Sequence, residues 1–297
     1  MNNIFIDQST ERKGNIVRDK LSFIDNVPVF SVVELNIMAA CTRSCSFCPV
    51  SDKDFYKKID AKGLLKKDFY KKILSDLSAI NYKGKILYSG FSEPLLHPKI
   101  DELIQLTKEY LPDTQLEMIS NGDKLTVAKL KSLFENGLDV LSISMYDGSH
   151  QIDYFSNMIH DANVDKEKVI LRRRYYENGN YGLTISNRAG LVDSNEYRAE
   201  GEEKILELPL KKVCYYPFYM VKIDFNGDMD ICSHDWQKKF VVGNVNTSSV
   251  WELWTSDRLH KFKERLANSD RKMEPCSTCD VHGDIIGKES FEAWNTK

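Results

Sequence analysis

The apolar positions of this chain change period again and again, and the changes divide it into short strands alternating with amphipathic helices. Val32 to Met38 (VVELNIM) has the length and β-branched character of one strand and runs straight toward Cys41. Lys66 to Leu77 reads as a helix, and Lys85 to Tyr88 as a strand that stops at Ser89-Gly90. Pro98 to Tyr110 is helical, with Ile100, Leu103, Ile104 and Leu106 on one face. Gln115 to Ile119 is a strand ending at Ser120-Asn121-Gly122, and Leu125 to Asn136 is a helix for which Gly137 makes a fitting stop. Val140 to Met145, a helix over Gln151 to Ala162, and Lys168 to Leu171 continue the series, with Gly182 to Ser186 as a sixth strand. This alternation predicts βα units around a parallel sheet or barrel. The stretch from Arg172 to Tyr181 is short for a helix, so the fold class is α/β, a partial (β/α)5-6 TIM-like barrel rather than a closed eight-stranded one.

Polar motifs sit where the strands end. The cysteine loop, Gly90 to Pro94, Ser120 to Gly122, Ser144 to Asp147 and Asn187-Arg188 each follow a strand. In a parallel barrel those ends share one rim, which is where such folds build active sites. Five separate motifs therefore converge on one mouth.

The seven cysteines fall into two groups with none left over: Cys41, Cys45 and Cys48 early, and Cys214, Cys232, Cys276 and Cys279 late. A cubane iron–sulfur cluster takes four thiolates. Three would leave one iron open for chemistry, whereas four would close the site. Disulfides suit short secreted chains, and this chain is long with an odd cysteine count. Zinc is the alternative for the late group, whose Cys276-Ser-Thr-Cys279 has zinc-knuckle spacing. The first thirty residues are polar, without the apolar region of a signal peptide, and no run approaches eighteen apolar residues. A cytoplasmic protein with no membrane partner is the expectation. A formal charge of −3 offers no footprint for nucleic acid. The lysine pairs read as solvated helix faces.

Cys41-Thr-Arg-Ser-Cys45-Ser-Phe47-Cys48 resembles the signature of the radical SAM enzymes, and Gly90-Phe91-Ser92-Glu93-Pro94 resembles their Gly-Gly-Glu-Pro motif with the second glycine replaced. Cys214-x-x-Pro217, Asn226-Gly227, Cys232, Gly243-Asn244, Trp254, Arg258 and Pro275-Cys276-x-x-Cys279 resemble the SPASM/twitch extension of that superfamily, in the form that holds one auxiliary cluster. The resemblance implies residues 1–30 as an N-terminal extension, 31–207 as the barrel and 208–297 as the auxiliary domain and tail. It implies S-adenosyl-L-methionine and two 4Fe–4S clusters as cofactors, and a flavodoxin- or ferredoxin-type reductant as partner. By motif, Glu93 would accept from the methionine ammonium and Gly90, beside Ser92, would let backbone approach closely. Ser120, Asn121, Ser142 and Ser144 are candidates for ribose or carboxylate contacts, or else strand-end hydroxyls bonded to backbone. Phe47 would line the adenine pocket.

Arg172 and Arg174 share a face if extended, and a guanidinium in a barrel mouth suits a carboxylate or phosphate. Arg188 is either a substrate or SAM contact or a structural ion pair. His234 is a surface histidine or a neighbour of the cluster. With every cysteine assigned, no thiol remains to return a hydrogen atom, which disfavours an epimerase and favours a dehydrogenase with the closed cluster as electron sink. The late spacing of 17, 43 and 2 intervening residues is similar to that of small twitch dehydrogenases that oxidise a cyclitol alcohol. A small polar, carbohydrate-like substrate is thus implied. Peptide maturation is the rival inside the superfamily, although 40 residues before Cys41 leave no room for a peptide-recognition domain. A non-catalytic zinc protein is the rival outside it.

Overall fold

In the computed structural model, which describes residues 10–197 and 207–296, the chain opens with α1 (Thr10–Asp19) and a hairpin of β1 (Ser22–Ile24) and β2 (Val27–Val29). Asp25 and Asn26 between those strands both take positive φ, 47° and 65°, the backbone a two-residue hairpin loop requires. The βα series follows: β3 (Val32–Asn36), α2 (Phe55–Lys58), α3 (Lys67–Ala79), β4 (Lys85–Tyr88), α4 (Ile100–Tyr110), β5 (Gln115–Ser120), α5 (Val127–Glu135), β6 (Val140–Met145), α6 (His150–Asp161) and β7 (Val169–Arg173). The C-terminal part adds α7 (Tyr216–Tyr219), β8 (Met220–Asp224), β9 (Asp228–Asp230), β10 (Val241–Asn244), α8 (Val250–Trp254), α9 (Asp257–Ala267) and α10 (Lys288–Asn295).

One sheet runs through both parts, in the order β10-β9-β8-β3-β4-β5-β6-β7. The six strands from β8 to β7 are parallel, and β9 and β10 extend the edge antiparallel. This is the expected partial barrel, with one correction. Residues 182–186 form no strand: Gly182 turns at φ 67°, and the loop beyond it bonds to the C-terminal part instead of to β7. The sixth parallel strand is β8, which pairs with β3 from Val32↔Met220 to Asn36↔Asp224. The sheet therefore crosses the boundary expected near Leu208.

Alternation along each strand sorts the side chains. Val33, Leu35, Ile86, Tyr88, Leu116, Met118, Leu141 and Ile143 face the helices and join Leu74, Leu77, Ile104, Leu130 and Phe155 in the main core. Burying a side chain of this size is worth about 1.5–3 kcal/mol. The lumen face carries Glu34, Asn36, Lys85, Glu117, Ser142, Ser144, Lys222 and Asp224, all buried. α1 closes the lower end of this lumen. Its Val17 packs with Val32, Leu87, Tyr219 and Met220, and its Arg12 bonds Glu117 at 2.8 Å. Lys85 reaches the same carboxylate at 3.1 Å. Burial alone would raise the Glu117 pKa, but Lys85 and Arg12 outweigh it and hold it down to about 2.

Candidate functional site

The first three cysteines lie on the loop that leaves β3, half-buried at the upper rim. The Cys41 sulfur accepts from the Arg43 amide at 3.4 Å and from Asn121 Nδ2 at 3.8 Å. Burial raises the Cys45 thiol to about 11, with Cys48 and Cys41 adding to the effect, so the three sulfurs sense one another. Arg43 fixes the loop. Its Nε donates to Asp123 Oδ1 at 2.9 Å and its Nη1 to Asp147 Oδ1 at 2.7 Å, which ties the ends of β3, β5 and β6 together.

Glu93 is buried beneath this loop. Its amide donates to Ala40 O at 2.9 Å, and its carboxylate accepts from Leu95 N at 3.0 Å, Ser120 Oγ at 2.8 Å and Asn121 N at 2.7 Å. Burial pushes its pKa up despite those donors. Asn121 also donates to Thr42 Oγ1 at 2.8 Å, so Glu93, Ser120 and Asn121 form one cluster with the cysteine loop. Gly90 has φ 127°, and a Cβ there would stand 2.6 Å from Asn36 Oδ1. Ser92 donates to that same Oδ1 at 2.9 Å. Asn36 Nδ2 is buried without a partner among the described residues. An unsatisfied donor below the cysteines is what a bound polar ligand would complete.

Phe47 stands in an aromatic group with Tyr146, Tyr181 and Tyr197 at centroid distances of 6.1, 5.4 and 6.0 Å. An open hollow lies there, bounded by Arg43, Cys45, Phe47, Tyr146, Arg174 and Tyr181. Ser144 lies beside the Tyr146 hydroxyl, and Arg172 pairs in register with Ser144. Ser142 is not brought to the rim. Its hydroxyl donates to Glu117 at 3.0 Å, lower in the lumen, because each step down a strand moves a side chain away from the mouth.

The four late cysteines line a small, largely enclosed hollow with Tyr216, Ile231, His234 and Arg271. Burial raises the Cys232 thiol, and Cys276, Cys279 and Cys214, which line the same hollow, each add to the rise. Arg271 is 2% exposed and braces the cavity wall. It donates to the carbonyls of Lys212 at 3.0 Å, Val213 at 2.9 Å, Val281 at 2.6 Å and His282 at 2.6 Å. Four thiols around a closed hollow fit a four-thiolate cluster, and three at an open rim fit a cluster with one free position.

Arg188 lies between the two groups. Its loop is fastened to the Cys276–Cys279 turn: Asn187 N donates to Asp280 Oδ1 at 2.8 Å, Asn187 Nδ2 to Thr278 O at 2.7 Å, and Thr278 Oγ1 to Ala189 O at 2.8 Å. The guanidinium stacks 4.6 Å over Trp236 and reaches His234 Nδ1 at 3.4 Å. Burial raises the pKa of Cys48 in the other group, and the charge of Arg188 works against that rise. Glu34, which the motif reading passed over, faces Arg188 and Lys222 from β3, and burial raises its pKa against their attraction. Its signal in the sequence is a lone acid inside the run VVELNIM.

An α/β barrel with three cysteines on its rim and four in an adjoining cage defines the class. The chain belongs to the radical SAM superfamily, whose model matches residues 35–181, and it carries a SPASM iron–sulfur cluster-binding domain, matched over residues 214–280. It is a radical SAM enzyme with S-adenosylmethionine and 4Fe–4S clusters as cofactors. It is 26% identical to the S-adenosyl-L-methionine-dependent 2-deoxy-scyllo-inosamine dehydrogenase of Niallia circulans, over 85% of this chain and 93% of that enzyme. It is 30% identical over 111 residues to the tungsten-containing aldehyde ferredoxin oxidoreductase cofactor-modifying protein of Pyrococcus furiosus, covering 37% of this chain and 29% of that protein. Among solved structures, BtrN in complex with AdoMet and 2-DOIA matches with a TM-score of 0.71 at 25% identity, over 86% of this chain and 95% of that one. Native anSMEcpe with bound AdoMet shares the fold at a TM-score of 0.51 and 13% identity, over 89% of this chain and 96% of that one. Among the described residues no helix is long and apolar enough to cross a membrane.

Proposed function

We propose that this enzyme oxidises a secondary alcohol on a small cyclitol- or sugar-like molecule, with a flavodoxin- or ferredoxin-type protein as reductant in an oxygen-protected cytoplasmic setting. The observation that carries this reading is the position of Arg188 between the two cysteine groups, with Glu34 facing it from β3. The similarity to the inosamine dehydrogenase over nearly its whole length supports the substrate class. Cys41, Cys45 and Cys48 would hold a cluster at the rim, and S-adenosylmethionine bound there would supply the hydrogen-abstracting chemistry.

The residues of the chain do the rest. Glu93, Ser120 and Asn121 order the rim beneath the cysteines. The Phe47 aromatic group and Arg43 shield the mouth from water. Arg188 offers a rigid two-pronged donor to hydroxyl or amino-alcohol oxygens. Glu34, whose carboxyl burial holds above its usual pKa, takes the proton that an alcohol must release on becoming a ketone, and the remaining electron would pass to a cluster held by Cys214, Cys232, Cys276 and Cys279. A base whose pKa is raised is active above that raised value, so turnover falls as pH drops through it.

The test is anaerobic turnover with dithionite, S-adenosylmethionine and 2-deoxy-scyllo-inosamine. Ketone is expected together with 5′-deoxyadenosine. In Glu34→Gln, ketone formation is expected to fall about 100-fold or more, in the range for loss of a positioned base, and the acid limb of the pH profile to disappear. Formation of 5′-deoxyadenosine without ketone from a panel of cyclitols and amino sugars would refute the substrate class. An unchanged pH profile in Glu34→Gln would remove Glu34 from the mechanism.

A further inference from the structure

His234 follows the cluster ligand Cys232 by two residues, lines the four-cysteine cavity and is fixed in one tautomer. Its Nδ1 lies 3.1 Å from Ser186 Oγ and 3.4 Å from Arg188 Nη1. A guanidinium nitrogen only donates. Nδ1 is therefore an acceptor, and the ring proton of the neutral imidazole sits on Nε2. That Nε2 is shut off from solvent and has no hydrogen-bond partner among the described residues. The Tyr216 ring meets the imidazole edge-on at 5.0 Å, an aromatic contact that replaces at most a small part of a buried N–H bond. A buried donor left over beside a cage of four thiols lacks the acceptor that would fill the cage.

We propose that His234 Nε2–H donates to a sulfur of the auxiliary cluster and sets that cluster's reduction potential. This rests on the assignment of a 4Fe–4S cluster to the late cysteines. Reduction adds negative charge to the cluster, and a hydrogen bond to its sulfur stabilises that charge, so the bond raises the potential. A raised potential makes the cluster a readier acceptor for the electron leaving an oxidised substrate. Because Ser186 and Arg188 hold Nδ1, the loop that bears the proposed substrate contact also aims the donor at the cluster.

The experiment is a redox titration followed by electron paramagnetic resonance. It is done on full-length reconstituted protein in which Cys41, Cys45 and Cys48 are alanine, so that only the auxiliary signal is read. His234→Leu is expected to lower the midpoint potential by about a tenfold change in the one-electron equilibrium, about 59 mV, at unchanged iron content. His234→Gln, which keeps a donor on a similar reach, is expected to recover most of that shift and carries the test if His234→Leu fails to hold iron. An unchanged midpoint in His234→Leu at full iron content would overturn the proposal. Absence of any cluster signal in the parent protein would overturn the cluster assignment itself, an outcome seen before any substitution of His234.

Discussion

Replacing Cys41, Cys45 and Cys48 by alanine is expected to leave about four of about eight irons per chain and to abolish 5′-deoxyadenosine formation under dithionite. The three thiols sit on a rim loop that Arg43 holds through Asp123 and Asp147, and Glu93 is held by backbone and Ser120 rather than by sulfur. Removing the sulfurs therefore takes away the ligands proposed for the first cluster while leaving the loop's own fastenings in place. The late cage has its own brace in Arg271 and keeps its cluster. Iron and sulfide counts with a product assay decide it. Full iron retention in the variant would contradict the division into two sites, and zinc in the wild type would contradict the cluster reading of either group.

The second large effect belongs to Arg271. One guanidinium joins the segment before Cys214 to the segment after Cys279 through four carbonyls. In Arg271→Leu those carbonyls lose a charged donor inside the protein, at about 1–3 kcal/mol for each one stranded. Lysine cannot reproduce the fork, so Arg271→Lys is expected to fail nearly as badly. The expected result is about four irons instead of eight, with 5′-deoxyadenosine still formed at the first site but ketone production lost. A variant with full iron and normal ketone yield would show that the cage holds without its brace. The contrast with the triple cysteine variant is the useful part, since each lesion removes a different half of the iron.

Much of this architecture could be read from the residues. Strands β3 to β7 and their helices announce themselves because one face of each is packed in a continuous apolar core, so the period survives in the sequence. The two cysteine groups are legible as groups because their spacing survives in the sequence, and the structure places three on one rim loop and four around one hollow. β8 hides because its lumen-facing residues are Lys222 and Asp224, which break the apolar run. Its partner β3 is also nearly two hundred residues away, and a pairing so distant leaves no local trace. The assignment of residues 182–186 to a strand failed because Ser186 and Asn187 are committed to His234 and Asp280. Ser142 looked like a rim hydroxyl, but Glu117 draws it down the lumen. The sequence holds a serine at the right strand without saying at what height.

α1 gives the barrel a floor. A well with a floor accepts an object only as deep as its shaft, and nothing can thread through to the far side. Whatever reaches the lumen must come and go on the side of the rim that carries the cysteines. A molecule the size of a single ring could enter whole and leave by the way it came. The N-terminal helix thus makes the enzyme single-ended, and a single-ended chamber is discriminating about shape at the tip and indifferent to whatever trails outside.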